Sequence, residues 1–227
     1  LSLSFPPLVV WTVMIYNHPL VWILSILVMG AAQNRLFIIH HEAAHRLLFS
    51  NRKINDFVGI RFIGRIAFGS GSHGYRIGHI RHHRDEFGPE EPDFILYSFY
   101  PISKSSMTRK LLRDLSGISA FRILRPRFER LNELRHLRLT ISFLFSQLTV
   151  AALFWFFANL TMYLFLWLLP WACVYQLLNR LRAISEHGGM TQSSDRRRTT
   201  HYVRQNRLAN FFIVPFNVGY HLAHHVD

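Results

Sequence analysis

ISFLFSQLTVAALFWFFANLTMYLFLWLLPWACVYQLL, residues 141–178, carries no formally charged side chain across 38 positions. A helix needs about 20 apolar residues to cross the hydrocarbon core of a bilayer, so this run is long enough for two crossings. Asn159-Leu160-Thr161 is its natural hairpin point. The chain is expected to leave the cytosol near Leu139 and return near Arg180, with Arg180 and Arg182 marking the cytosolic end.

Outward from the hairpin, the fold class becomes an all-α integral membrane protein. Residues 8–16 are apolar and read as the end of a first span, and Asn17-His18-Pro19 reads as a turn. A helix from about 20 to 48 would be about 40 Å long, which exceeds the hydrocarbon core of about 30 Å. It would carry His41 and His45 out on the cytosolic side. Residues 56–78, with six glycines among aromatics and Arg, suit an interfacial segment, and Asp85 to Asp93 is an acidic loop. Residues 106–138 place Leu111, Leu112, Leu115, Ile118 and Phe121 at helical spacing, which predicts an amphipathic helix on the membrane surface. The expected architecture is about four transmembrane helices with interfacial amphipathic helices and a cytosolic histidine-rich cap, in one domain spanning 1–227.

Half of the 227 residues are hydrophobic, and the net charge is +13. Basic residues are overwhelmingly Arg, with Lys only at 53, 104 and 110. With such apolar runs, this charge fits cytosolic segments of a membrane protein rather than a nucleic-acid partner. The single cysteine, Cys173, excludes an internal disulfide and argues against a thiolate metal site. A start at Leu1 and an end two residues past a histidine cluster lead us to expect truncation at one or both ends.

Three histidine clusters read His41-Glu-Ala-Ala-His45, His79-Ile-Arg-His82-His83 and His221-Leu-Ala-His224-His225. Zinc usually takes four ligands, so eight imidazoles in an HxxxH, HxxHH, HxxHH order exceed one ordinary zinc site and point to two metal ions. HxxxH puts two rings one turn apart on a helix face, and HxxHH lets three rings converge on a small volume. An even number of crossings separates the second cluster from the third, so both reach one membrane face. His187, in Ser185-Glu186-His187-Gly188, returns to that face after the hairpin and is a ninth candidate. His18 and His136 are expected to be non-ligands, and His40 to point about 100° away from His41. His73 and His201 stay undecided as supporting or substrate-region residues. Of the nearby carboxylates Glu42, Asp85, Glu86 and Glu186, any could accept the second N–H of a ligating His. For Asp85 and Glu86, a plain surface pairing with Arg is the alternative. No catalytic residue separate from the metal ligands and no organic cofactor site stands out.

Activating O2 against an unactivated C–H bond needs a redox-active metal, usually iron, and zinc has no redox chemistry. A site at the rim of an apolar membrane domain suggests an alkyl-chain substrate entering from the bilayer. The rival reading takes His41-Glu42-Ala-Ala-His45 as the HExxH of an intramembrane zinc protease, with Glu42 as base. It leaves the other two clusters unexplained.

The motifs resemble the membrane fatty acid desaturase family, which includes related hydroxylases and ketolases, from about Val9 to His225. The resemblance rests on the order HxxxH, HxxHH, a two-span hairpin, Glu186-His187, then HxxHH. The flanks agree: Leu47-Leu48-Phe49 and Asn51-Arg52 follow His45, and Pro215-Phe216-Asn217 precedes the last cluster. It implies an O2-dependent diiron oxidoreductase that introduces a double bond into a lipid acyl chain. It also implies two Fe ions, a cytosol-facing site, and electrons from an external redox protein such as ferredoxin or cytochrome b5. Hydroxylation or ketolation of a lipid or carotenoid is the alternative within the family. Stearoyl-type acyl-CoA desaturases usually place four residues between the first two histidines, where this chain has three. They also carry Asn at the position of Ala183, and front-end desaturases usually have Gln where His221 stands. An acyl-lipid-type or sphingolipid-type desaturase is the better match.

Overall fold

The computed structural model describes residues 3–226, and among these there is no strand. Helix α1 (Phe5–Ile15) opens with prolines in its first turn, where a missing N–H costs nothing. The turn at Asn17-His18-Pro19 forms as expected. The His18 ring accepts a hydrogen bond from Leu20 N at 3.2 Å, and Pro19 begins α2 (Pro19–Ala44). This helix ends at Ala44 rather than near 48, and Arg46 takes a left-handed φ of 64°. Side chains explain the early stop. Asn55 Nδ2 and Arg76 Nη2 donate to Ala43 O at 2.9 and 2.8 Å, and Arg76 Nε donates to Ala44 O at 2.8 Å. Carbonyls at a helix end need partners, and these satisfy them without another turn.

Helix α3 (residues 52–66) is capped by the Asn51 side chain and is wound as a π-helix over Asp56–Ile63. It crosses α2 at Gly59, where an added Cβ would lie 2.0 Å from the Ala43 Cβ. Helix α4 (Gly74–Arg84) carries the second histidine cluster. The single amphipathic helix expected over 106–138 is instead two, α5 (Lys104–Leu115) and α6 (Ile118–Glu129). Gly117 separates them at φ 78°, a conformation that costs glycine little.

Helices α7 (Leu134–Phe157) and α8 (Leu160–His187) form the expected hairpin. Asn159 makes the corner, its side chain accepting from Met162 N at 2.9 Å. α8 widens into π turns on both sides of Pro170. The Trp167 carbonyl there accepts from Gln33 Nε2 at 2.8 Å, a buried tie between α2 and α8. Short helices α9 (Arg207–Phe212) and α10 (His221–Val226) complete the described chain.

Three helices, α2, α7 and α8, are long and apolar enough to cross a membrane. α1 has 11 residues, about 17 Å of helix, and is too short to cross alone. The described residues therefore hold three long apolar helices where about four spans were expected. Val13, Met29, Leu36, Phe143, Leu166 and Trp167 share the main core. α7 covers its outer side and leaves Leu148, Trp155, Phe156 and Phe157 exposed, Phe156 by 80%. Such a surface suits lipid rather than water.

Arg180 and Arg182 do not simply mark a membrane edge, because both are buried. Arg180 pairs with Asp114 on α5 and donates to Leu96 O at 3.2 Å, while Arg182 pairs with Glu186 at 3.0 Å. Buried guanidinium groups need such partners. Arg180 ties α5 and the segment at Leu96 to α8, whereas the Arg182–Glu186 pair lies within α8.

Replacing Gly59 with Ala is expected to destabilise the protein by about 1–3 kcal/mol, the usual cost of overpacking. At Gly78, where an added Cβ meets nothing within 4 Å, Ala is expected to be neutral or stabilising by up to about 1 kcal/mol. Thermal unfolding in detergent compares the two, and equal behaviour would contradict the close α2–α3 crossing.

Candidate metal centre

Arg76 aligns the first two clusters. It sits one turn before His79 on α4 and reaches the terminal carbonyls of α2, just where His41 and His45 emerge. Asp56 on α3 holds it through Oδ1 and Oδ2, and the Arg76 guanidinium lowers the Asp56 carboxyl to about 2. The third cluster is brought in by α10. Its His225 Nδ1 hydrogen-bonds the buried Glu86, which Arg196 also holds at 3.0 Å.

All nine predicted histidines come together, in two groups. His41, His45, His79, His83 and His224 each bring a ring nitrogen within 4.8 Å of the others. His82, His187, His221 and His225 do the same. The rings of His83 and His225 stack 4.0 Å apart, so the groups share a wall. No HxxHH cluster serves one group alone. His79 and His83 stay together while His82 crosses over, and His221 and His225 stay together while His224 crosses over. Helical geometry is the reason. At about 100° per residue, i+4 lies about 40° to one side of i and i+3 about 60° to the other. The i+3 ring therefore diverges from its partners, and the expected convergence of all three rings of one cluster does not occur.

Outer partners orient several rings. His82 Nδ1 lies 2.8 Å from both Glu91 carboxylate oxygens, His187 Nδ1 donates to Thr199 O at 3.0 Å, and His41 Nδ1 lies 3.1 Å from Glu42 Oε1. A ring that donates from Nδ1 presents its Nε2 lone pair on the opposite side. His221 Nε2 lies 3.2 Å from His187 Nε2 and 3.0 Å from His225 Nε2, and His79 Nε2 lies 3.0 Å from His83 Nε2. The Nε2 atoms of His41, His45 and His224 are buried without a hydrogen-bond partner. Converging lone pairs on buried neutral imidazoles are unfavourable by themselves and match the donor set of a transition-metal cation. The residues fit such an ion in each group.

Electrostatics point the same way. Burial first, then neighbouring imidazoles and Arg, lower His45 to about 4, His224 to about 3 and His225 to about 2. Burial and neighbouring imidazoles hold His79, His83 and His221 well below the usual histidine range, with Arg182 adding to this at His221. These six are neutral at pH 7, the form that ligates metal. His82 differs: burial pulls it down, but Glu91, with Asp93 and Glu86, outweighs that and raises it.

The other histidines lie outside both groups. His40 turns to Gly59 O at 2.9 Å, His73 accepts from Arg76 at 3.0 Å, and His201 donates to Gly188 O at 2.9 Å. His136 lies 3.4 Å from Glu133, and His18 caps α2. Among the carboxylates, Glu86 supports a cluster histidine, whereas Asp85 accepts from the backbone of Glu90 at 3.0 Å. Glu91, Asp93 and Thr199 were not foreseen. The acidic 85–93 loop was visible, but no spacing rule tells which of its carboxylates folds back onto His82.

A family model described as Fatty acid desaturase matches residues 17–227. The chain is also 26% identical over 224 residues to dihydrorhizobitoxine desaturase of Bradyrhizobium elkanii, covering 90% of this chain and 62% of that protein. It thus spans about three fifths of the length of the curated relative it matches. No solved structure matches the chain.

Two outcomes are expected. Glu91→Gln should weaken metal binding by about 10- to 100-fold in a chelator competition, the usual cost of losing a ligand's outer partner, while His136→Ala leaves it unchanged. The second concerns acid. Six histidines have depressed folded-state values, so the unfolded chain takes up protons first as pH drops below about 6.5. The metal-free protein should be most stable above that pH and lose stability steadily toward pH 4. A thermal midpoint that rises on acidification would contradict the buried neutral cluster.

Proposed function

The chain belongs to the fatty acid desaturase family, and from that premise we propose that it is an O2-dependent diiron oxidoreductase that introduces a double bond into a lipid acyl chain. The observation that carries the reading is the convergence of nine imidazoles into two groups with their lone pairs turned inward. His41, His45, His79, His83 and His224 would hold one iron, and His82, His187, His221 and His225 the other. Bound iron would supply the redox capacity that O2 needs to attack an unactivated C–H bond.

The reaction balances as loss of two hydrogens from adjacent methylenes and reduction of O2 to two waters. Two of the four electrons come from the C–H bonds, and two, with two protons, come from outside. We assign the outside pair to a redox protein of the ferredoxin or cytochrome b5 type. The chain's own residues set the site. Glu91, Glu86 and the Thr199 carbonyl fix the orientation of His82, His225 and His187. Tyr97, 1% exposed and 4.8 Å from the His187 ring, helps keep bulk water away.

The three long apolar helices and the family support a membrane location. We place the histidine groups on the cytosolic side, in one desaturase-like domain over 1–227. The curated relative is named for desaturating dihydrorhizobitoxine, so that likeness supports the reaction type. The acyl chain rests on the family, and the acyl-lipid or sphingolipid class on the sequence departures noted above. The protease reading loses its support, because Glu42 faces His41 Nδ1 and the two His share their space with three further imidazoles.

Alanine at His41, His82 or His224 is expected to lower activity at least about 100-fold while the protein still inserts into membranes. Lipid profiling of a host expressing the gene reads this out. New double bonds lost in all three variants support the assignment, and full activity in any one refutes it. New hydroxyl or keto groups instead of double bonds would move the protein to the hydroxylase and ketolase branch.

A further inference from the structure

A cavity of about 480 Å³ opens between α2, the 67–74 loop, α6, α7 and α8, within the size range of small-molecule sites. Its deep wall is apolar and buried: Phe68, Trp171 and Tyr175 are each less than 9% exposed. Its outer lining is basic, with Arg127, Arg130 and His136. His40 and Tyr75 close the side toward the histidine groups.

Among the described residues, neither arginine has a carboxylate partner. Arg127 is half-buried, donates to Leu139 O at a long 3.5 Å, and lies 4.7 Å from the Phe143 ring centre. Burial lowers its affinity for its proton. Arg130 is exposed and forms no ion pair among the described residues. The nearby acids are engaged elsewhere, Glu129 with Arg125 at 2.6 Å and Glu133 with His136 at 3.4 Å. A guanidinium has five donors in a planar fork that matches carboxylate or phosphate. A half-buried one without an anion is costly, so an arriving anion would be held firmly.

Tyr75 connects this space with the histidines. It lines the cavity and also the small space bounded by His41, His79, His82, His187 and His221. Its ring stacks on His79 at 5.5 Å and lies 4.7 Å from His40. One aromatic ring thus separates the deep end of the cavity from the first histidine group.

We propose that this cavity binds an amphiphile with an anionic head, the head paired with Arg127 and Arg130 and the apolar tail laid along Phe68, Trp171 and Tyr175 toward Tyr75. Its role as the substrate's entry rests on the function proposed above, whereas its existence as a binding site does not. The anion is a carboxylate or a phosphate, and the two have different sources, a free fatty acid or an anionic phospholipid.

Isothermal titration calorimetry of the purified protein in neutral detergent tests this, with iron and after chelation. Dodecanoate should bind at least ten-fold more tightly than methyl dodecanoate, equivalent to about 1.4 kcal/mol. Arg127→Gln with Arg130→Gln should abolish that preference and leave the ester's affinity within two-fold. Arg130→Gln alone, at an exposed position that should tolerate it, should reduce the preference at least three-fold. A dilauroyl phosphatidic acid that binds more tightly than dodecanoate assigns the head to a phospholipid, and the reverse assigns it to a free acid. Equal binding of acid and ester, or a preference untouched by either variant, overturns the proposal. Acid-selective binding that persists in chelated protein upholds the site even where no iron loads and no double bond forms, so the two readings can fail separately.

Discussion

Lone-pair crowding among buried imidazoles is the constraint on which the rest of this structure depends. Nine imidazoles in a poorly hydrated volume gain little from one another, and rings that turn the same nitrogen inward repel. They are kept in place by bonds on their outer side: Glu91 on His82, Glu86 on His225, the Thr199 carbonyl on His187. Each of these fixes which nitrogen keeps its proton, and so which lone pair faces in. The arrangement resembles a spring held from outside, and a cation in each group would relieve it.

Holding such a cluster requires rigid ends on the helices that supply it. α2 and α8 provide them, because both are packed inside the molecule while α7 remains at its outer edge. Gln33 bonds α2 to the widened turn of α8. Arg76 then joins the end of α2 to α4, and the Arg180–Asp114 pair joins α8 to α5. Arg76 thus does what a hydrophobic contact cannot do at a helix end, where unpaired carbonyls need donors. The apolar packing of Met29, Leu36, Leu166 and Trp167 lies in the body of the long apolar helices.

The same economy appears in how the clusters are used. A short helix that offers i, i+3 and i+4 histidines faces two directions at once, so α4 and α10 each contribute to both groups. With α2 feeding one group and α8 the other, four helices build two adjacent sites that share the His83–His225 wall. Each HxxHH cluster therefore serves both sides of the centre, His79 and His83 on one side with His82 on the other, and His224 on one side with His221 and His225 on the other.

Local chemistry decided what could be read without a structure. The uncharged run with Asn159 at its middle set the hairpin, and the spacing of His41, His45, His79, His82, His83, His221, His224 and His225 marked the candidate site. His187 followed from the hairpin's return, and His40 was set aside by helical phase. These signals are short-range, carried by hydropathy and by residues within one or two turns. Which histidines share a group, why α2 stops at Ala44, and which acid faces which ring depend on contacts between segments far apart in sequence. Asp114 meets Arg180 across 66 residues and Glu86 meets His225 across 139. No local pattern encodes such pairings, because they form only when packing has already brought the segments together and removed the water that would otherwise satisfy them.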